Sequence, residues 1–180
     1  MDETNPFDKA SRYFVKESPV VVTSWLMKQP PESVHFTGWY DARRIVLPWE
    51  ADRTNDLVAV FERTPGEAFA VPIEVNVAPV TEMPGRLLVY LGLLWLEGRP
   101  TDQRGERFQV GAIVVNLTGR GNASRDFEMG PIRTTLGVRE VNLAEEDANE
   151  VLDLAAENGA YRGLLAWVPL MKGGGEPATI

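Results

Sequence analysis

The sequence predicts an α/β fold in which a mixed central sheet is flanked by helices. Three observations favour it. Apolar residues recur at helical spacing over residues 7–28 and 81–97, two apolar runs within residues 56–77 flank a turn, and a β-branched run occupies residues 108–119. The order helix, strands, helix, strand, strand, helix is typical of helices packed on a sheet. With 180 residues, 44% of them hydrophobic, the chain is long enough for one domain with a substantial core.

The first elements are a broken helix and an extended segment. Apolar residues at 3.6-residue spacing predict a helix over residues 7–28, interrupted at Pro19. The sequence "QPP" (29–31) ends this unit, because the residue before a proline is disfavoured in a helix. Residues 34–47 carry scattered apolar anchors and are predicted to be extended, and "WEADRTND" (49–56) is predicted to be a polar turn.

The middle of the chain predicts a hairpin followed by a helix. The strands are "DLVAVFER" (56–63) and "AFAVPIEVNV" (68–77). Between them, "TPGE" (64–67) has proline second and glycine third, which is typical of a type II turn. Residues 81–97 are predicted to form a helix with one apolar face. That face consists of Met83, Leu87, Leu91 and Leu94.

The second half predicts two more strands and two helices. The run at residues 108–119 predicts a central strand buried on both faces and parallel to a neighbour, reached through the preceding helix. Residues 136–143 are predicted to be a further strand. The acids at the start of residues 144–159 favour a helix there, and Gly159 ends it. Residues 160–171 are predicted to form a short apolar helix.

The domain is predicted to span residues 1–172, with a flexible tail at residues 173–180. The polar, acidic N-terminus is not typical of a signal peptide, and the longest apolar run, residues 87–96, is too short to cross a bilayer. We therefore expect a cytoplasmic protein with no membrane partner. The absence of cysteine excludes disulfides and thiolate metal sites.

The charge balance argues against a non-specific nucleic-acid binder, because the formal net charge is -8 and phosphate contacts need clustered cations. A carboxylate site for Mg²⁺ is itself acidic, however, and the bound ion reverses its local sign. The basic residues are 14 arginines and 4 lysines. Arginine suits bidentate phosphate contacts, although GC-rich coding is an equally simple cause.

A polar cluster in the hairpin is the strongest candidate site. Glu74 and Asn76 are two residues apart in a strand and therefore share a face, and Asp56 opens the partner strand. Carboxylates brought together on neighbouring strands favour a cation between them, and hard divalent ions prefer carboxylate and carbonyl oxygens, here including the carbonyl of Val75. Arg86 on the following helix could contact a phosphate. The simpler alternative is a strand with one solvated face.

Other motifs carry less weight. "GRGNAS" (119–124) follows a strand and matches part of a dinucleotide fingerprint, but it lacks the third glycine, and a turn is the better prediction. His35 is the only histidine, so the sequence contains no histidine cluster for a metal.

The order of these motifs resembles the PD-(D/E)xK nuclease superfamily, and more closely its Rpn-type group of transposase-like, recombination-promoting nucleases. That group has an Asp that opens a strand, a short hairpin, Ile-Glu-x-Gln, a short loop, and a helix with Arg and Tyr. The matching residues here are Asp56 in "NDLVAV", Glu74 in "PIEVN", and Arg86 and Tyr90 in "MPGRLLVYL". "FDKASRYF", "VVNLTGR" and "NLAEEDA" extend the resemblance over nearly the whole chain.

The resemblance implies a restriction-endonuclease-like fold and a divalent-metal-dependent DNA endonuclease linked to recombination or mobile elements. Asp56 and Glu74 would bind Mg²⁺ or Mn²⁺, and together with Asn76 they would form the catalytic set. Arg86 and Tyr90 would contact the DNA substrate and support the site.

One residue departs from the family pattern. The superfamily has Lys at the position of Asn76, and the Rpn-type group often has Gln. Asn is neutral and shorter, so it cannot act as a cation in the transition state. Two alternatives therefore stay open: a catalytically silent binding or interaction module with the same fold, and an acidic globular protein with no nucleic-acid role. The sequence also leaves open a homodimer and a shortened copy of longer relatives.

Overall fold

The computed structural model describes residues 6–41, 57–64, 67–97 and 108–175. The helices are α1 (Pro6–Glu17), α2 (Pro19–Met27), α3 (Met83–Glu97) and α4 (Ala148–Glu157). The strands are β1 (His35–Trp39), β2 (Val58–Thr64), β3 (Glu67–Asn76), β4 (Phe108–Val110), β5 (Ile113–Asn116), β6 (Arg125–Met129), β7 (Ile132–Leu136) and β8 (Arg139–Asn142). Short 3₁₀ segments lie at Pro31–Ser33, Leu143–Glu145, Gly159–Ala166 and Val168–Leu170. No helix in these ranges is long and apolar enough to cross a membrane.

The predicted mixed sheet with flanking helices is confirmed. In the described residues the main sheet has six strands, in the order β1-β2-β3-β5-β8, with β4 paired to the first part of β3. β1, β2 and β3 are antiparallel neighbours, whereas β3, β5 and β8 run parallel. The predicted hairpin is β2–β3, in which Val58 lies opposite Pro72. The middle of its predicted turn, residues 65–66, lies outside the described residues, as do residues 42–56.

The predicted strand at 108–119 is two strands. β4 and β5 both pair in parallel with β3, and the break falls at Gly111 and Ala112. The Gly111 amide still donates to the Ala70 carbonyl of β3, with a nitrogen–oxygen distance of 3.3 Å, so hydrogen bonding to β3 continues at the break between β4 and β5. All four residues of β5 are buried, as predicted for a central strand covered on both faces.

Strand alternation divides the core between the two faces of the sheet. On one face, helices α1, α2 and α4 and the C-terminal segment cover the larger cluster. It includes Val22, Leu26, Ile73, Val115, Val141 and Trp167. On the other face, α3 covers two smaller clusters. They include Met83, Leu87, Tyr90, Leu94, Val114 and Leu136. The face covered by α3 is also the face on which Glu74 lies.

The N-terminal helix is broken as predicted. Pro19 is the first residue of α2, where its missing amide hydrogen costs little, and Lys28 ends α2 in a left-handed conformation with φ of 51°. The two helices pack against the other end of the chain. The Trp167 indole nitrogen donates to the Ser11 hydroxyl at 2.9 Å, and the rings of Phe14 and Trp167 meet edge to face.

Residues 125–136 form a hairpin that the sequence analysis did not predict. β6 and β7 pair only with each other in the described residues, and they are joined by Gly130, with φ of 58°, and Pro131. The strand expected at 136–143 therefore begins later, at Arg139.

The C-terminal predictions need two corrections. The helix expected at 144–159 begins at Ala148, because Asp147 caps it by accepting a hydrogen bond from the Asn149 amide at 2.9 Å. Residues 160–171 form 3₁₀ turns rather than an α-helix. Lys172, the last residue of the predicted domain, is held by two backbone hydrogen bonds: its amide donates to the Glu146 carbonyl at 2.9 Å, and its carbonyl accepts from Ala148 at 3.0 Å. Residues 176–180 lie outside the described part.

Candidate functional site

Glu74 is a buried carboxylate near the C-terminal end of β3. Only 5% of the residue is exposed, and it lies opposite Val114 of β5. Val114 packs with Met83 and Leu87 of α3, so Glu74 points to the α3 side of the sheet. An ionised side chain buried at this depth is unfavourable unless a cation or hydrogen-bond donors compensate its charge. The strand prediction therefore placed Glu74 correctly, but its face is covered rather than solvated.

Arg86 supplies a positive charge beside Glu74. One guanidinium nitrogen, Nη2, lies 3.7 Å from Glu74 Oε2, and the two side chains are 16% and 6% exposed. Arg86 reaches this position because the apolar face of α3 fixes the helix against the sheet through Met83 and Leu87. The structure thus brings together two of the predicted site residues in a buried ion pair. Removing one member of such a pair is strongly unfavourable.

Asn76 lies on the same face, two residues further along β3. Its side-chain nitrogen, Nδ2, is buried and has no hydrogen-bond partner within the described residues, and the same holds for Nε of Arg86. Buried donors without acceptors are rare in folded proteins, and each one calls for an explanation such as a bound water, ion or substrate. Two such donors flank the Glu74 carboxylate.

The backbone beside Glu74 presents one more oxygen to this region. The Ile73 amide donates to the Leu57 carbonyl at 2.9 Å, whereas the Asn76 carbonyl accepts from Leu117 at 2.8 Å. Backbone groups of successive strand residues alternate between the two neighbouring strands. The Val75 carbonyl therefore points to the β2 side of β3, the same side as Leu57.

One predicted site residue cannot be placed with Glu74, because Asp56 lies outside the described residues. Asp56 directly precedes Leu57, whose carbonyl contacts Ile73, the sequence neighbour of Glu74. In the described part of the chain, no group of three or more His, Cys, Asp or Glu side chains is arranged to hold a metal ion.

Tyr90, the other residue predicted to contact the substrate, is fully buried. It lies in a cluster with Val58, Ala70 and Leu94, on the part of α3 that packs against β2 and β3. In this arrangement its side chain presents no surface to a ligand.

A second polar cluster, which the sequence analysis missed, adjoins the first. It contains Asn116 and Asn142, which lie at the ends of the parallel strands β5 and β8, beside Asn76 of the first cluster at the end of β3. Asn116 Nδ2 donates to Glu140 Oε1 and to Asn142 Oδ1, both at 2.8 Å. Asn142 Nδ2 in turn donates to Glu145 Oε2 at 2.9 Å. The available signal was the dipeptide Val-Asn, which ends all three strands.

The loop after β5 closes this second cluster. The backbone amide of Gly121 donates to Asn142 Oδ1 at 2.9 Å, and that of Ala123 donates to Glu140 Oε2 at 2.8 Å. A side chain at Gly121 would overlap Glu140 Oε1 and Asn116 Nδ2, so the close approach requires glycine. None of the buried side-chain atoms without a partner in the described residues belongs to this cluster.

The chain matches no protein-family model, no curated protein and no solved structure.

Proposed function

We propose that the protein is a divalent-metal-dependent DNA endonuclease with a restriction-endonuclease-like fold. The observation that carries the proposal is the buried Glu74 carboxylate, which shares its sheet face with Asn76 and lies beside Arg86 of the next helix. The order of hairpin, Glu-x-Asn and helix with Arg agrees with the PD-(D/E)xK pattern that the sequence resembles. Buried carboxylates with specific charge partners are candidates for functional sites.

The oxygen donors suit Mg²⁺ or Mn²⁺, which prefer carboxylate and carbonyl ligands. The described residues offer the Glu74 carboxylate and, on the same stretch of β3, the Val75 carbonyl that points towards the β2 side. The proposal requires Asp56 as the second carboxylate. Bound there, the ion would activate a water and stabilise negative charge on the phosphodiester.

The protein side chains have separate roles in this proposal. Glu74 and Asp56 hold the ion. Asn76 orients the attacking water through its amide, although it lacks the charge of the lysine that the superfamily has there. Arg86 exchanges its contact with Glu74 for a phosphate oxygen of the DNA once the ion neutralises Glu74. The unpaired Arg86 Nε and Asn76 Nδ2 are the donors available for these contacts.

A specific observation also favours a second candidate, a catalytically silent module with the same fold. Arg86 already compensates the charge of Glu74 at 3.7 Å, so the fold balances this carboxylate without an ion. The Arg86–Glu74 ion pair and Asn76 in place of lysine are both features expected of a nuclease fold that has lost its metal ion and its catalytic activity. The two candidates differ in metal binding and in cleavage, and both can be measured.

The cleavage experiment compares purified wild type, Asn76→Lys and Asn76→Lys/Glu74→Gln on supercoiled plasmid at low salt with Mn²⁺. We expect slow nicking by wild type and faster nicking by Asn76→Lys, because one transition-state contact contributes on the order of 10²–10³ in rate. Glu74→Gln should abolish both. Asp126→Asn, which alters an exposed carboxylate on β6, is the matched control and should cut like wild type.

The metal experiment measures the melting temperature of wild type, Glu74→Gln and Asp56→Asn with and without Mn²⁺. A ligand that binds only the folded state raises it by mass action, so wild type should be stabilised and both Glu74→Gln and Asp56→Asn should not be. Cleavage that persists in the Glu74→Gln double variant would overturn the assignment of the site. A protein that neither binds Mn²⁺ nor cuts in any variant would support the silent module instead.

A further inference from the structure

The loop of residues 117–124, here called the β5–β6 loop, is held in place by an unusual number of polar contacts. At its start, the Thr118 amide and hydroxyl both donate to the Val77 carbonyl, the amide at 2.9 Å. Further along, the amides of Gly121 and Ala123 donate to side chains of β8. The loop is therefore fixed both to the chain that follows the candidate site and to the second polar cluster.

The anchoring cluster is buried and fully bonded within the described residues. Asn116 is 1% and Asn142 9% exposed, and buried polar groups stabilise a fold only when every partner is in place. The network thus gives this loop a defined position at the carboxyl edge of the parallel strands, where ligands bind in open α/β sheets.

The β5–β6 loop presents one charge. Arg120 is its only ionisable residue, and 80% of this side chain is exposed. Arg120 Nε lies 3.2 Å from Glu145 Oε1, and Glu145 in turn accepts from Asn142. An exposed ion pair of this kind contributes little to stability, so the arginine is available to another anion.

Arg120 and the candidate site lie at the same edge of the sheet. Neighbouring strands are roughly 5 Å apart, so the row from Asn76 to Asn142 spans roughly 10 Å. At about 3.4 Å of rise per nucleotide, a DNA strand that runs along this edge would place Arg120 within about three nucleotides of the reacting phosphate.

We propose that the β5–β6 loop is a phosphate-binding element for the DNA strand held at Glu74, and that Arg120 makes the contact. Glu145 holds the guanidinium when no DNA is bound and competes with the phosphate for it. This inference rests on the proposed function for its ligand, but it concerns DNA binding rather than cleavage. It also gives the acidic chain one cation at the sheet edge, carried by a loop that hydrogen bonds hold in place.

The test measures the binding of a labelled duplex oligonucleotide by fluorescence anisotropy, in Ca²⁺ and without divalent ions, at several salt concentrations. Arg120→Ala should weaken binding about tenfold at low salt. It should also lower the salt slope of log K by about 0.9, the value for one lost phosphate contact. Arg120→Lys should retain most of the slope. Glu145→Gln should tighten binding about threefold, because it keeps an oxygen for Asn142 and loses the competing charge.

A matched pair on the β6–β7 hairpin serves as control. Arg133 Nη2 lies 3.7 Å from Asp126 Oδ1, and both side chains are exposed. Arg133→Ala and Asp126→Asn change the net charge by the same amounts as Arg120→Ala and Glu145→Gln, so they measure the effect of charge alone.

The outcomes separate this inference from the proposed function. If Arg120→Ala and Arg133→Ala have equal salt slopes of log K while cleavage still depends on Glu74, the inference about the loop is overturned but the proposed nuclease function is not. Binding that depends on Arg120 without any cleavage would support the loop and favour the silent module. A wild-type protein that binds no DNA would overturn both.

Discussion

Two polar clusters lie on the same face of the same sheet, one strand apart, and they are built differently. Around Asn116 the amide and carboxylate groups bond one another and the backbone of the β5–β6 loop. Around Glu74 a buried ion pair at 3.7 Å is flanked by two donors, on Asn76 and Arg86, without partners in the described residues. The strand positions are equivalent, so the difference lies in the side chains and not in the backbone.

This difference is the one expected between a scaffold and a binding site. A fully bonded polar network gains rigidity from a low local dielectric, whereas unpaired donors in the same environment are unfavourable until something binds them. The Asn116 cluster is therefore expected to contribute stability through its hydrogen bonds. In the Glu74 cluster, stability is expected to depend on the ion pair, whereas the Asn76 donor without a partner in the described residues contributes none. Substitutions in the two clusters should then have effects of different size, which three measurements of unfolding in urea can test.

The largest effect is expected for Arg86→Met. This change leaves Glu74 buried without its neighbouring cation, and removal of one partner from a buried pair typically costs about 3–5 kcal/mol of unfolding free energy. Arg133→Met, in the exposed pair on the hairpin, should cost at most about 1 kcal/mol. Adding Glu74→Met to Arg86→Met should recover much of the loss. Equal, small losses for Arg86→Met and Arg133→Met would contradict the view that the Glu74 pair is buried and coupled.

A smaller loss is expected for Asn116→Leu. Leucine has nearly the same shape but removes the donor to Glu140 and Asn142. A hydrogen bond to a carboxylate contributes about 1.5–3 kcal/mol and one to a neutral amide about 0.5–1.5 kcal/mol. We expect a loss of about 2–4 kcal/mol. Asn122→Leu, in the exposed part of the same loop, is the control and should change stability by less than about 0.5 kcal/mol. A neutral Asn116→Leu would show that the loop does not depend on the network.

The sequence predicted the part of the fold that local patterns determine. The apolar spacing of residues 81–97 predicted the helix α3, which carries Arg86. The turn between the two apolar runs of residues 56–77 predicted the pairing of β2 with β3. The Asn116 cluster could not be predicted in the same way, because it forms only when β5 pairs with β8, and residues 117–138 separate these two strands in the sequence. Without that pairing, Asn116 and Asn142 are single polar residues at strand ends.

Other differences have local causes. Pro131 is typical of a position where a strand ends, but here it lies in the turn of the β6–β7 hairpin, whose strands are mostly exposed. Tyr90 matched a motif position, but the sequence alone did not show that its helix turn faces β2. Both cases show that a residue type at a given spacing does not fix which neighbour will cover it.

The smallest effect is expected for Asn76→Leu, the same substitution as Asn116→Leu on the adjacent strand. Because Asn76 Nδ2 has no partner to lose in the described residues, stability should change by less than about 1 kcal/mol in either direction. The change should nevertheless remove any cleavage, since leucine cannot orient a water. A loss as large as that of Asn116→Leu would mean that Asn76 is structural, and the distinction between the two clusters would fail.

The contact between Ser11 and Trp167 has a consequence for biosynthesis. These side chains are 156 residues apart and bond in the buried core, and Arg139 also donates to the Leu26 carbonyl across 113 residues. At about 5–20 residues per second, a ribosome needs roughly 8–30 s to pass from one to the other. During that time α1 has been synthesised but its final partner has not. Helix α1 is thus synthesised well before the C-terminal turns that cover it, and its apolar face must stay free of other chains until those turns are made.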